Sequence, residues 1–210
     1  MGHVKRCAGI DVGLSSACIA VFGHDGGISN FPKVLGVLDI PTTGEAGGKR
    51  IDVRTLWEWI GRFDVNIAYV ENATAMPAQP DKFGNRRGMG GASMARYMRA
   101  CGAIEAAVTL AGVESVLVMP AVWKRALGLL KADKSQSIAL ALSLCPEARA
   151  WLPTKTRKGI VTDVQRWHNR AESILIAVYA ATRTDMIDLK PNHSDSASNH
   201  NFHQKNRMRG

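Results

Sequence analysis

The stretches that decide the fold are Cys-Ala-Gly-Ile-Asp-Val at residues 7–12 and Ala-Cys-Ile-Ala-Val-Phe-Gly at residues 17–23. Both are short apolar runs of the length that is typical of strands. The turn-forming sequence His-Asp-Gly-Gly at residues 24–27 ends the second run, and a third strand fits residues 34–40. Three strands joined by short loops predict an antiparallel meander at the start of the chain.

Helices and strands alternate after this meander. Apolar residues recur at helical spacing within residues 52–63 and predict a helix there. The order of elements predicts an α/β fold with a mixed five-stranded sheet flanked by helices, as in ribonuclease H-like proteins. The further strands are predicted at 66–71 and 113–119, and the further helices at 92–111, 121–127, 134–144 and 164–182.

Composition limits the class of protein. The chain has 210 residues, of which 46% are hydrophobic and 21% charged, and this excludes disorder over the full length. Residues 1–188 are predicted to form one domain, and the polar residues 189–210 a disordered tail. The net charge of +9 favours an anionic partner, most simply nucleic acid.

The cysteines and the apolar runs indicate the compartment. Cys7, Cys18, Cys101 and Cys145 lie in apolar stretches and form no CxxC pair, which predicts buried free thiols in a reducing compartment. No run approaches the ~18 apolar residues of a membrane span. The first apolar run is interrupted by an acid, which argues against a signal peptide. We therefore expect a cytoplasmic protein without a membrane partner.

Three acids lie in apolar surroundings on three separate elements. Asp11 and Glu71 end the first and fourth strands, which are neighbours in a ribonuclease H-like sheet, so their carboxylates should converge. Glu172 lies on the last helix, on a face that points partly inward. Three converging carboxylates favour Mg²⁺, and two such ions ~4 Å apart can catalyse phosphodiester hydrolysis. The alternative for each single acid is a cap, a turn partner or a solvated charge.

His168 precedes Glu172 by one helical turn, so both lie on one face of the last helix. It is a candidate metal ligand, proton carrier or helper for an attacking water. The structural alternative is a histidine that only pairs with Glu172.

Basic residues cluster around a Gly-rich stretch at 73–91, which is predicted to be a long loop. Such a cationic loop can follow a phosphate backbone, although it can also be a solvated surface. Lys124 and Lys134 lie near predicted helix starts, which attract phosphates. Residues 154–158 predict a further basic loop ahead of the last helix. The basic residues between positions 82 and 99, where no acid occurs, are Lys82, Arg86, Arg87, Arg96 and Arg99.

Several motifs resemble those of the RuvC-type Holliday junction resolvases. They are Gly-Ile-Asp-Val-Gly-Leu-Ser at 9–15, Val-Glu at 70–71 and Ala-Glu-Ser-Ile-Leu-Ile-Ala at 171–177. Lys124 and then Ala-Asp-Lys-Ser-Gln at 132–136 follow the family order, and the spacing and the Trp-Lys pair at 123–124 are most similar to the phage and prophage branch. The resemblance spans residues 7–182.

This resemblance implies a homodimeric, Mg²⁺-dependent endonuclease that cuts opposed strands of a four-way DNA junction. Such an enzyme would act in recombination, repair or phage DNA processing, in a bacterium or a phage-infected host, with two Mg²⁺ ions that Mn²⁺ can replace. The family's fourth acidic position falls on Asn169 here, with His168 as the adjacent substitute. The resemblance implies Asp11, Glu71, Glu172 and His168 at the metal and Lys124 and Lys134 near the active-site phosphates.

Three alternatives remain open at this point. Asn169 is compatible with a junction-binding protein whose catalysis is impaired. A nuclease of the same fold that processes structured RNA fits the same residues. Asp11–Ser15 also resembles the first phosphate loop of the actin and sugar-kinase superfamily, but no second nucleotide-binding repeat is present.

Overall fold

The structure is a computed structural model, and its strands and helices follow the predicted order. The described residues are 6–13, 16–25, 32–44, 48–72, 91–152, 155–157, 160–162 and 164–187. The strands are β1 (Arg6–Asp11), β2 (Cys18–Gly23), β3 (Lys33–Asp39), β4 (Thr42–Thr43), β5 (Arg50–Ile51), β6 (Ile67–Glu71), β7 (Glu114–Val118), β8 (Lys155–Arg157) and β9 (Ile160–Thr162). The helices are α1 (Val53–Ile60), α2 (Gly91–Leu110), α3 (Pro120–Ala126), α4 (Lys134–Leu144), a 3-10 helix (Pro146–Ala150) and α5 (Val164–Arg183).

Five strands form the central sheet in the order β3-β2-β1-β6-β7. β2 is antiparallel to both β1 and β3, whereas β6 is parallel to both β1 and β7. This arrangement confirms the predicted α/β fold, with its mixed five-stranded sheet and its ribonuclease H-like order. β1 therefore lies at the centre of the sheet and is hydrogen-bonded along both edges.

Some elements differ from the prediction. Residues 154–158 were expected to form a basic loop, but Lys155–Arg157 forms β8 and pairs with Ile160–Thr162 of β9. Threonine and β-branched residues suit such a hairpin, although the lysine and arginine make the stretch look like a loop. The predicted tail at 189–210 and residues 73–90 of the predicted loop at 73–91 lie outside the described residues, and Gly91 begins α2.

Each side of the central sheet carries its own apolar core. Ile10 of β1 packs with Leu56 of α1 and Ile104 of α2 in what we call the α1/α2-side core. Cys7 of β1 packs with Trp123 of α3 and with α5 in what we call the α5-side core. The alternation of side chains along β1 explains this division, since successive residues of a strand point to opposite faces.

Gly9 allows α5 to lie directly against β1. A Cβ at this position would overlap the backbone nitrogen of Ala177 and the carbonyl oxygen of Ser173. The thiol of Cys7 donates to the carbonyl oxygen of Ala177 at 3.3 Å, beside the same contact. This close approach fixes the separation between the end of β1 and the segment of α5 that contains Glu172.

Arg170 ties α5 to β3. Its guanidinium donates from Nε and Nη2 to the two carboxylate oxygens of Asp39, at 2.7 and 2.6 Å. Its Nη1 also donates to the carbonyl oxygen of Trp151 at 2.9 Å. A bidentate arginine–carboxylate pair is geometrically specific, so it restricts how α5 can rotate or slide on the sheet.

The cysteines are free, as predicted, and Cys7, Cys18 and Cys145 are buried while Cys101 is half-buried. Burial raises the pKa of Cys7, Cys18 and Cys145 to about 12, which keeps these thiols protonated and unreactive. Among the described helices, none has the length and apolar character that crossing a bilayer requires.

Candidate metal centre

The structure brings the three predicted acids together. Asp11, Glu71 and Glu172 each offer one carboxylate oxygen, and these oxygens all lie within 4.8 Å of one another. The three residues are only 6%, 8% and 5% exposed. The expected convergence of acids from two strands and the last helix is therefore present.

Strand register explains why Asp11 and Glu71 meet. β1 and β6 run parallel, and Ile10 lies beside Val70. The next residue of each strand is an acid, so both carboxylates leave the sheet at the same edge. Both also point to the face that α5 covers, because they share the parity of Cys7 and Tyr69, which pack in the α5-side core.

Burial makes two of these carboxylates reluctant to ionise. The pKa of Asp11 is raised well above its ordinary value, first by burial and then by the negative charges of Glu71 and Glu172, against a smaller opposing effect of Lys124. The pKa of Glu71 is also raised by burial, although a hydrogen bond from Trp123 partly lowers it. A bound cation would offset this repulsion, because it favours the charged form of every carboxylate around it.

Glu172 differs from the other two acids because a lysine and a histidine side chain already contact its carboxylate. Lys124 Nζ lies 2.5 Å from its Oε1, and His168 Nε2 lies 3.3 Å from its Oε2. Burial is the largest single influence and raises its pKa, but His168 and Lys124 together outweigh burial, so the pKa of Glu172 is lowered. Lys124 therefore engages Oε1, although a carboxylate oxygen can accept one N–H and still bind a cation through its second lone pair.

The donor set fits a hard divalent cation. All three groups offer carboxylate oxygens, the ligands that Mg²⁺ prefers, and three such ligands leave room for coordinated waters. Among the residues that the structure describes, the mutually close ligand atoms belong to the three acids, and His168 lies beside them as a partner of Glu172. Coordination by His168 stays a prediction.

The predicted basic residues lie at different places. Lys124 lies beside the three acids and forms an ion pair with Glu172. Lys134 is exposed at the first residue of α4, while Arg96 and Arg99 are exposed on α2. Their contact with DNA stays a prediction. The basic residues that lie outside the described part of the chain are Lys82, Arg86 and Arg87.

Asn169, at the position that the resemblance assigns to a fourth acid, serves as a hydrogen-bond donor. Its Nδ2 donates to the carbonyl oxygen of Ser16 at 2.7 Å and to Ser16 Oγ at 2.5 Å. The amide therefore holds the connection between β1 and β2 against α5. An aspartate here would place a carboxylate oxygen against the Ser16 carbonyl, so this local geometry favours the amide.

Trp123 belongs to the centre, and sequence reasoning missed this role. Its side chain is fully buried, and its indole nitrogen donates to Glu71 Oε2 at 2.8 Å. The available signal was a tryptophan directly before Lys124, because a buried indole N–H usually finds an acceptor. Nothing local in the sequence identifies that acceptor as Glu71.

Solved structures with a similar fold are Holliday junction resolvases. Thermus thermophilus RuvC in complex with a Holliday junction substrate has a TM-score of 0.55 and 17% identity, covering 87% of this chain and 96% of RuvC. A further Thermus thermophilus RuvC structure has a TM-score of 0.54 and 20% identity, with the same coverage. The chain has the RuvC fold.

The fowlpox virus Holliday junction resolvase shares this RuvC fold, with a TM-score of 0.51, 12% identity and coverage of 86% of this chain and 99% of the viral one. No protein-family model matches the sequence, and no curated protein matches it. In this version of the RuvC fold, β1, β6 and α5 each supply one acid to the candidate metal centre.

Proposed function

We propose that the chain is a metal-dependent endonuclease that resolves four-way DNA junctions. The observation that supports this most strongly is the buried cluster of Asp11, Glu71 and Glu172 within a RuvC fold. Three buried acids at close range are costly for stability alone, so their convergence favours a role in binding cations. The net charge of +9 also suits a polyanionic substrate.

The acidic cluster would hold Mg²⁺, either as one ion or as the two ions that the resemblance implies. When bound, Mg²⁺ activates water and neutralises charge on the phosphodiester. Lys124, beside Glu172, is placed to stabilise negative charge on a phosphate oxygen at the cluster. His168, held by Glu172, is assigned the positioning of the attacking water or the protonation of the leaving oxygen.

Substrate binding is assigned to basic residues outside the acidic cluster. Arg96 and Arg99 are exposed on α2, and Lys134 is exposed at the start of α4, where each can reach a phosphate. We further propose a homodimer, because two symmetric cuts on opposed strands need two active sites. The remaining proposed DNA contacts are Lys82, Arg86 and Arg87.

The test compares a labelled four-way junction with its linear duplex arms, with Mg²⁺, with Mn²⁺ and with EDTA. We expect paired nicks in the junction alone, and only with a metal. Cleavage of the duplex arms at the same rate would contradict the proposed specificity.

Asn169 favours one second candidate, a junction-binding protein with impaired cleavage. Tight junction binding without nicks under every metal condition would support that candidate. Adding structured RNA as a competitor distinguishes the resolvase and the junction-binding protein from an RNA-processing enzyme. An RNA-processing enzyme would bind the RNA in preference to the junction.

A further inference from the structure

The indole of Trp123 contacts two residues of the candidate metal centre, Glu71 and Lys124. Trp123 Nε1 donates to Glu71 Oε2 at 2.8 Å. Lys124 Nζ lies 5.0 Å from the centre of the Trp123 ring, within the range of a cation–π contact, and it pairs with Glu172. Trp123 thus acts on Glu71 directly and on Glu172 through Lys124.

The hydrogen bond restricts how the Glu71 carboxylate can turn. Oε2 accepts the indole N–H, and both oxygens keep lone pairs that can bind a cation. The indole is fully buried, so its N–H would be left without a partner in the apolar core if it lost this acceptor. The N–H is therefore committed to Glu71, and the carboxylate orientation is restricted before any metal binds.

The backbone holds Trp123 at a fixed distance from Glu71. Glu71 lies beside Val118 at the parallel ends of β6 and β7, and Asn72 N donates to the carbonyl oxygen of Val118 at 2.9 Å. Pro120 then begins α3 within two residues of β7. Because the connection between β7 and α3 is so short, the position of Trp123 relative to Glu71 does not depend on a long loop.

We propose that Trp123 is a positioning residue of the metal centre, an inference that rests on the proposed metal-dependent function. Its N–H fixes the Glu71 carboxylate, and its ring face orients Lys124 beside Glu172. Partners of this kind commonly change metal affinity by about 10- to 100-fold when they are removed. A tryptophan that only filled the core would change stability alone.

Two substitutions separate the two contacts. Trp123→Phe keeps an aromatic face for Lys124 but removes the N–H, whereas Trp123→Leu removes both. We expect Mg²⁺ and Mn²⁺ binding to the DNA-free chain, measured by calorimetry, to weaken about tenfold in Trp123→Phe and further in Trp123→Leu. Unchanged affinity in folded Trp123→Phe would overturn the proposal.

Trp167→Phe is the matched control. Trp167 lies in the same α5-side core. Arg170 Cζ lies 4.7 Å from the centre of its ring. We expect this variant to lose thermal stability without a comparable loss of metal affinity. Equal weakening of metal binding in Trp167→Phe and Trp123→Phe would overturn the positioning role, since it would show a general effect of core loosening.

A double substitution tests whether the effect passes through Glu71. Metal binding to Glu71→Gln should be weaker than to the unsubstituted chain, and adding Trp123→Phe should weaken it little further. Full additivity of the two effects would overturn the proposed route. If the unsubstituted chain bound no metal, the proposed function would fail together with this inference, whereas normal binding in Trp123→Phe removes only the inference.

Nuclear magnetic resonance of the unsubstituted chain covers the case in which a variant does not fold. The chain has five tryptophans, so four indole N–H resonances serve as internal references for Trp123. We expect the Trp123 indole resonance to shift most on titration with Mg²⁺. A Trp123 resonance that stays in place while metal binds would contradict the hydrogen-bonded role.

Discussion

The two sides of the central sheet bury different chemistry. The α1/α2-side core is apolar throughout, with Ile10, Val70 and Ile104 at its centre. The α5 side buries a comparable apolar cluster but also contains the candidate metal centre. Among the described residues, the buried polar and charged ones are Asp11, Glu71, Ser137, Glu172 and Ser173.

This difference shows that one side of the sheet buries only apolar groups, whereas the other side combines an apolar core with buried acids. Even-numbered residues of β1 enter the α1/α2-side core, and odd-numbered residues face α5. The apolar side stabilises the fold, and the other side can then tolerate three acids whose mutual repulsion opposes folding. Substitutions in the α1/α2-side core should therefore lower stability alone, whereas substitutions beside the acids should also change metal binding.

The largest expected effect is that of Asp11→Asn. This substitution removes a metal ligand, so cleavage of a four-way junction should fall by roughly a thousandfold, while junction binding in a gel-shift assay persists. The metal-free variant should gain about 1 kcal/mol of stability in a denaturation experiment, because a buried, repelled carboxylate is gone. Glu58→Gln, at an exposed acid of α1, is the control. Cleavage retained in Asp11→Asn would exclude the proposed metal centre.

Gly9→Ala should lower both the stability of the fold and the affinity for the metal. The new Cβ pushes α5 away from β1 and should cost about 2 kcal/mol of unfolding free energy while weakening Mg²⁺ binding. Ile104→Ala, in the α1/α2-side core, provides the comparison: it should cost about 3 kcal/mol yet leave the affinity of the folded chain for Mg²⁺ unchanged. A Gly9→Ala variant with normal metal affinity would show that the β1–α5 distance does not control the site.

The smallest expected effect is the change in the stability of the metal-free chain with pH. The folded-state pKa of Asp11 and of Glu71 is raised, so both groups destabilise the metal-free chain increasingly as pH rises through those values. Glu172 has a lowered pKa, so its contribution is present at neutral pH and is lost only below the ordinary range of glutamate. Above the ordinary pKa range of aspartate and glutamate the two raised groups should dominate, so the metal-free chain should lose stability as pH rises towards neutrality.

Mg²⁺ competes with protons for the same carboxylates, so the stabilisation that it provides should grow as pH rises. Thermal melts with Mg²⁺ and with EDTA across this range measure that difference. A metal-induced shift in Tm that does not change with pH would contradict the raised pKa of the acids.

Local patterns were sufficient for much of the fold and for the convergence of the acids. β1 was predicted at 7–12 and lies at Arg6–Asp11, and α5 was predicted at 164–182 and lies at Val164–Arg183. Apolar runs bounded by turn residues define such elements, and the order of strands brings Asp11 beside Glu71.

Contacts between distant residues were beyond these patterns. Trp123 and Glu71 are 52 positions apart, and Asn169 and Ser16 are 153 positions apart. Each contact depends on how a helix packs on the sheet, which local periodicity does not specify. The β8–β9 hairpin was missed for a different reason, since the lysine and arginine of β8 suggested a solvated loop.

Because β1 lies at the centre of the sheet, a change in its length should disrupt the fold more than a change of one side chain. Both edges of β1 are hydrogen-bonded, to β2 and to β6, so the strand cannot slide to absorb an inserted or deleted residue. An insertion between Gly9 and Asp11 would turn the acid into the α1/α2-side core and remove it from Glu71. Point substitutions in β1 damage one side of the sheet, whereas a change of one residue in length disrupts both sides at once.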